Sequence, residues 1–345
     1  MNQRPTRTLR PRQPRVSVIV PTRNEARNLE VVLPAVAAVR PAVHEVIVVD
    51  GNSKDGTVET ARRVLPGVRI VMQTRKGKGN AMACGFAAAT GDVVVMFDAD
   101  GSADPAEIPA FVQALIDGAD FAKGSRFVRG GGSDDITLLR KGGNYGLNGV
   151  ANALFGTRYT DLCYGYNAFW ADILPLLGLP EVDIPPRADG TMHWGDGFEI
   201  ETVLNCRVAA ADLAITEVPS MERERMFGQT NLRTFADGTR VLRTLASERK
   251  RANRVAAAAP TVVPQAEASA PANGYVDPPT IRTTFPSTAS APPVAHEGNG
   301  GRPLTPSPSP RAHRPQENGH RPTGANGSAR SDAIGVRYAW DEEAS

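Results

Sequence analysis

Between Val16 and Phe97 the chain carries four short apolar runs: Val16-Ser-Val-Ile-Val, Glu45-Val-Ile-Val-Val, Val68-Arg-Ile-Val-Met and Val93-Val-Val-Met-Phe. Stretches with helical spacing separate them, at Glu25 to Val39, Thr57 to Val64 and Asn80 to Ala89. Runs this short and this rich in β-branched residues are buried strands. Strands that alternate with helices need crossover connections, so the expected fold is α/β, with a mostly parallel central sheet and helices on both faces. Pro34, inside the first helical stretch, should kink that helix or mark its start. Downstream, Asp120 to Phe127 reads as a further strand and Thr137 to Phe155 as a helix loosened by Gly142, Gly143, Gly146 and Gly149. Phe198 opens another helix, Leu213 to Val218 forms a strand, and Asn231 to Glu248 is the closing helix.

In open parallel sheets ligands bind beyond the carboxyl ends of the strands. The unusual residues of this chain lie there: Pro21-Thr-Arg-Asn-Glu25 after the first strand, Asp50-Gly-Asn-Ser-Lys-Asp55-Gly after the second, Arg75-Lys-Gly-Lys78-Gly after the third and Asp98-Ala-Asp100 after the fourth. Asp98 and Asp100 close the fourth strand two residues apart, so they face the same way and can point out of the sheet's edge together, because strand side chains alternate. Two such carboxylates call for a cation. Mg²⁺ and Mn²⁺ accept carboxylate oxygens and keep positions open for phosphate, so the pair points to a metal-bound nucleoside diphosphate carrying a group to be transferred. An isolated D-x-D triplet is commonly a turn or a helix cap. Four special motifs on one rim are not explained that way.

In order, Val18-Ile-Val-Pro-Thr-Arg-Asn-Glu25, Val48-Val-Asp50-Gly-Asn-Ser-Lys-Asp55-Gly-Thr, Lys76-Gly-Lys-Gly-Asn-Ala, Met96-Phe-Asp98-Ala-Asp100-Gly, Gly124-Ser-Arg126-Phe, Asp161-Leu-Cys-Tyr-Gly-Tyr-Asn-Ala-Phe and Arg225-Met-Phe-Gly-Gln-Thr resemble the family 2 glycosyltransferases. Within that family the resemblance is to the polyprenyl-phosphate, dolichyl-phosphate mannose synthase-like branch, and it runs from about Val16 to about Thr244. It implies the GT-A fold and an inverting transfer from a UDP- or GDP-sugar. It further implies that Asp50 contacts the base or ribose, with Pro21, Glu25 and Asp55 beside the nucleotide and Lys78 beside the diphosphate. Asp98 and Asp100 match the metal pair for Mg²⁺ or Mn²⁺, Asp100 being the more direct ligand. Arg126 and Arg140 match residues that meet an acceptor phosphate, and Arg225 one near the diphosphate and the closing loop.

The resemblance leaves the acceptor open between a polyprenyl phosphate, the preferred reading, and a hydroxyl of a soluble or cell-envelope glycan. A phosphate acceptor is already nucleophilic, whereas a hydroxyl needs a general base. Glu201 matches an acid of that kind. Glu199, two residues earlier on the same helix, should face elsewhere. Asp161 and Asp196 are alternatives, with helix capping as their ordinary role. Two departures from the branch stand out: Asp50 is followed by Gly51 rather than a second acid, and Gly101-Ser102 stands where Leu-Gln is usual. A third reading, of another class, is a non-catalytic nucleotide-sugar binding module. A sugar nucleotidyltransferase would carry a glycine-rich loop directly after the first strand, where Pro21-Thr22 stands.

Composition divides the 345 residues into three parts. Residues 1–15 form a basic arm expected to be disordered, 16–250 the folded domain, and 251–345 a Pro/Ala/Ser/Gly-rich tail with too little apolar side chain to offset chain entropy. A net charge of +2 without interleaved aromatics argues against nucleic acid as a partner. The arm lacks the apolar core of a secretory signal, and no run reaches the roughly 18 apolar residues of a membrane span. Its arginines are suited to anionic headgroups. Cys84, Cys163 and Cys206, with neither zinc nor redox spacing, read as reduced core thiols. The expected location is the cytoplasm, with room for peripheral contact at the inner face of the plasma membrane. Oligomeric state is not set by the sequence.

Overall fold

A computed structural model of the chain describes residues 10–228 and 234–258. The four apolar runs become Val16–Thr22 (β1), Glu45–Asp50 (β2), Arg69–Met72 (β3) and Val93–Met96 (β4), and the intervals become Ala26–Ala37 (α1), Thr57–Val64 (α2) and Lys78–Ala88 (α3). There follow Ile108–Ile116 (α4), Phe121–Ser125 (β5), Gly132–Ser133 (β6), Leu138–Phe155 (α5), Asn167–Trp170 (β7), Leu174–Leu177 (α6), Ile200–Ala210 (α7), Ile215–Pro219 (β8), Met221–Glu222 (β9) and Thr234–Ala258 (α8). Seven strands make one sheet in the order β3-β2-β1-β4-β7-β5-β8. β1 pairs in parallel with β2 and β4, β2 with β3, and β5 with β8, whereas β7 is antiparallel to both its neighbours. β6 and β9 pair in a ribbon of their own.

The period of two along the strands sorts the core onto two faces. Val18, Val20, Val48 and Val95 pack with Leu29, Leu33, Ile108 and Phe111 from α1 and α4. Ile19, Ile47, Val94 and Met96 pack with Met82 and Phe86 of α3 and Ile200 and Leu204 of α7. A third cluster, with Ala151, Tyr159, Leu162, Cys206 and Leu245, joins α5, α7 and α8.

Several expectations change. α1 begins at Ala26 and runs through Pro34, so Pro34 does not mark its start. β4 ends at Met96, and Asp98 and Asp100 lie in the turn beyond it, where strand alternation no longer orients them. β7 had no periodic signal, because four residues opening on Asn167 and buried throughout are too short to show one. Within the basic arm Arg10 is held by the fold: its guanidinium lies 2.6 Å from Asp120, 2.9 Å from Asp172 and 5.1 Å over the Trp170 ring. α8 continues to Ala258 rather than ending near Lys250, since the alanines that resemble a low-complexity tail are also the best helix formers. The rest of the tail lies outside the described residues. Cys84 and Cys206 are buried, but Cys163 is exposed. Among the described residues no helix is long and apolar enough to cross a membrane.

Candidate active site

Local hydrogen bonds first bring the rim together. Asp55 accepts from the Ala26 amide (3.0 Å) and from the Thr57 amide (3.1 Å), tying the loop after β2 to the start of α1. Asn24, in the left-handed region at φ 57°, accepts from the Lys54 amide across the same gap. Asp50 is buried at the end of β2 and accepts from the Ser53 amide at 2.9 Å. Pro21 pairs in register with Val49 one step inside the rim.

On this frame stand two sandwiches, each a cation between two carboxylates. Lys78 Nζ lies 2.8 Å from Asp98 and 2.7 Å from Glu201. Arg225 lies 3.1 Å from Asp100 and 3.2 Å from Glu25. Asp98 and Asp100 therefore address different cations. The turn after Asp100 is set by Ser102, whose amide and hydroxyl both donate to Asp100, and by Gly101 at φ 78°, a conformation that suits glycine. Burial pushes the Asp98 carboxyl up; Lys78 opposes this, and the charges of Asp100 and Glu201 reinforce it. Glu25 is raised by burial too, against Asn28 and Arg225. Burial alone would lower Lys78, but Asp98 and Glu201 outweigh it and hold the ammonium well above the usual lysine range.

The Arg75-to-Gly79 loop is locked onto the turn before α7. Arg75, itself buried, holds buried Asp196 through two bonds of 2.7 and 3.0 Å and donates to the carbonyls of Glu181, Val182 and Ile184. The Gly79 amide donates to the Gly197 carbonyl and the Asn80 amide to that of Asp196. A Cβ at Gly77 or Gly79 would collide with the carbonyls of Asp196 or Gly195, so glycine serves close packing of two loops here. The same stitching aims Lys78 at Glu201. Glu199 turns the other way and accepts from the amides of Gly195 and Gly197.

A second constellation centres on Arg126. Its Nε and Nη2 bind fully buried Asp161 at 2.7 and 2.9 Å, its backbone amide binds the same carboxylate, and its guanidinium lies 4.9 Å over the Tyr164 ring. Nη1 meets Glu222 at 2.9 Å. Arg140, in the first turn of α5, pairs with Asp135 at 3.3 Å. Sequence reasoning gave no role to Glu222, Ser133 or Asp135. Their only signal was a pair of acids flanking the matched arginines.

Whether the rim suits a divalent ion follows from its donor chemistry. Glu25, Asp98, Asp100 and Glu201 set four carboxylates against the two cations Lys78 and Arg225 that pair with them, an excess of acid within this set. All the donors are hard oxygens, as Mg²⁺ and Mn²⁺ prefer. Among the described residues no three acidic, histidine or cysteine side chains converge into a metal cage. Mg²⁺ needs only one or two carboxylates when phosphate oxygens and water complete its shell.

Residues 17–174 match the family model described as Glycosyl transferase family 2. An undecaprenyl-phosphate mannosyltransferase of Micrococcus luteus is 33% identical over 227 residues, covering 63% of this chain and 87% of that protein. A polyprenol monophosphomannose synthase of Mycolicibacterium smegmatis is 32% identical over 233 residues, 65% of this chain and 83% of that protein. A dolichol-phosphate mannosyltransferase of Pyrococcus furiosus is 39% identical over 131 residues, and the match spans only 37% of its length. Among solved structures, a glucosyl-3-phosphoglycerate synthase from Mycobacterium tuberculosis, in complex with Mn²⁺, uridine diphosphate and phosphoglyceric acid, superposes with a TM-score of 0.53 at 23% identity, covering 68% of this chain and 78% of that one. The molecule thus has the GT-A fold, a nucleotide-sugar transferase architecture. The chain belongs to glycosyl transferase family 2.

Proposed function

We propose that this glycosyltransferase moves a hexose, with inversion, from a UDP- or GDP-sugar to a polyprenyl phosphate. The observation that carries the choice of acceptor is that every candidate general base is already committed. Glu201 is held by Lys78, Asp161 by Arg126, Asp196 by Arg75, and Glu199 by two backbone amides. A sugar hydroxyl needs a free base, whereas a phosphate monoester carries about −1.5 to −2 charges at neutral pH and attacks without one. The names of two relatives that this chain covers over 87% and 83% of their length point to the same acceptor class.

In this reading Asp50 and Asp55 shape the nucleotide seat, with Pro21 and Glu25 beside it. Lys78 exchanges Asp98, and Arg225 exchanges Asp100, for an oxygen of the leaving diphosphate, while Lys78 keeps its bond to Glu201. Asp98 and Asp100 would hold Mg²⁺ or Mn²⁺, which when bound neutralises that leaving group. Arg126 and Arg140 receive the acceptor phosphate, and guanidinium forks suit its geometry. Leu138 and Leu139, both exposed, adjoin Arg140 and Lys141 at the start of α5, and the neighbouring α8 exposes Leu242, Arg243, Arg249, Lys250 and Arg254. A basic and apolar surface of this kind supports peripheral contact with anionic lipid.

The test supplies purified protein with labelled UDP- and GDP-sugars, Mg²⁺ or Mn²⁺, and membranes. Label should enter the organic phase. Glu201→Gln should keep turnover within a few fold of wild type, where loss of a general base costs on the order of 10²–10⁴-fold. Label confined to an aqueous glycan, together with a loss of that size, would replace this acceptor by a hydroxyl.

A further inference from the structure

Glu222 is used by nothing in the proposed reaction, yet it sits on one of its arginines. The two partners of Arg126 differ in kind. Asp161 takes two parallel bonds and the backbone amide, and its side chain is 0% exposed, whereas Glu222 takes a single Nη1 bond and is 18% exposed. Asp161 is the fixed partner and Glu222 the removable one. The same Glu222 oxygen accepts from the Ser133 hydroxyl at 2.5 Å, and Ser133 Oγ in turn accepts from the amides of Asp135 and Ile136. The carboxylate therefore occupies a small oxyanion seat made of one guanidinium N–H and one hydroxyl. Its carrier, β9, pairs with β6 outside the central sheet and is fixed on either side of Glu222 by the Met221 amide on Glu107 and the Arg223 amide on the Ser102 carbonyl, so the Glu222 side chain can swing away while its backbone stays in place. Arg140 is covered in the same manner by Asp135, whose side chain is 48% exposed.

We propose that Glu222 is the resident anion of the acceptor-phosphate seat: in the free enzyme its carboxylate fills the place on Arg126 and Ser133 that an incoming phosphate monoester takes, and it thereby determines which anions enter. The inference rests on the proposed role of Arg126. Displacing Glu222 costs every ligand alike. A monoester near two charges recovers that cost on Arg126, while a phosphodiester, fixed at one charge like the carboxylate it must replace, does not. An enzyme working against a surface of phosphodiester headgroups would in this way keep its seat for the rarer monoester.

Isothermal titration of the full chain with citronellyl phosphate, inorganic phosphate and dihexanoylphosphatidylglycerol tests this, using wild type, Glu222→Gln, Ser133→Ala, Glu224→Gln and Arg126→Lys. Glu222→Gln should tighten citronellyl phosphate on the order of tenfold and bring the phosphodiester into measurable range, the size expected when a close charge pair no longer has to be broken. Ser133→Ala, which loosens Glu222 but also removes a donor, should shift affinity less. Glu224 is exposed, and its substitution changes the charge equally two residues away, so it should leave affinity within about twofold. Equal tightening of both phosphates supports a seat that reads phosphate alone, and tightening of citronellyl phosphate alone supports one that also reads the chain. Arg126-dependent binding that Glu222→Gln leaves unchanged overturns the resident-anion role while the acceptor reading stands, as does an equal shift from Glu224→Gln. Wild-type binding that Arg126→Lys does not weaken overturns both. Thermal melting of each variant identifies any that fail to fold, and Ser133→Ala then carries the test.

Discussion

Lys123 is the most heavily buried cation among the described residues: it is 0% exposed on β5, and its ammonium donates to the carbonyls of Tyr164 (2.7 Å) and Gly124 (3.3 Å). Desolvation holds it below the usual lysine range, with Asp161 and Glu217 opposing. The unfolded chain thus binds this proton more tightly than the native one between the lowered value and the ordinary ~10.4, so Lys123 makes stability rise with pH across that window. Lys123→Met removes the effect. It also leaves the Tyr164 carbonyl unpaired, a cost of about 1–3 kcal/mol that does not vary with pH. The variant's stability minus that of wild type, from urea unfolding, should fall as pH is raised from about 7 to 10; a flat difference would mean that Lys123 is not charged differently in the two states. Nothing in the sequence sets Lys123 apart from a surface lysine. Its register on a strand buried on both faces is visible only once β7 and β8 flank it.

At the scale of elements, the four strand-and-loop units from Val16 to Asp100 were legible because each signal is local: a β-branched run, a rim motif, a helix. Partners distant in the chain were not. Arg75 and Asp196 lie 121 residues apart, and Arg126 and Glu222 lie 96 apart, so the sequence placed Arg75 only in the rim motif after the third strand, and the family resemblance left Asp196 as an alternative base or a helix cap. The structure makes them one buried bracket between the start of α3 and the turn before α7. Breaking a buried pair by removing one partner strands the other charge, which costs about 3–5 kcal/mol. Asp196→Ala should lower unfolding stability by that amount, because Arg75 keeps three carbonyl partners but loses the carboxylate it is bonded to. Since the bracket aims Lys78 at Glu201, the milder Arg75→Lys, which keeps charge but not the fork, should raise the KM for the nucleotide-sugar more than it lowers the melting temperature. A change in melting temperature alone would confine the bracket to packing.

For the whole molecule the question is where the folded part ends. Composition placed the end near Lys250, a boundary that almost cuts off the residue on which the last helix depends. Glu248, buried on α8, binds buried Arg207 of α7 through two bonds of 3.0 Å and accepts from the Trp194 indole at 2.7 Å. Leu245, one turn earlier, is 0% exposed in the cluster shared with α5 and α7. α8 is therefore a closing element rather than an extension, fastened by one apolar and one ionic contact less than a turn apart. Its remaining ten residues, Arg249 to Ala258, expose most of their side chains to solvent and are helical through alanine propensity. Two truncations separate these contributions. A chain ending at Ala258 should keep the urea midpoint and m-value of the full-length protein, because the Pro/Ala/Ser/Gly-rich sequence that follows carries too little apolar side chain to build a core. A chain ending at Ser247 leaves the Arg207 guanidinium buried with only the carbonyls of Leu177 and Gly178, and should lose about 3–5 kcal/mol. Arg207→Met in the shorter chain should restore part of that loss, since a buried cation without its acid costs more than an apolar side chain of similar length. Failure of that rescue would mean that α8 is held by its apolar face alone.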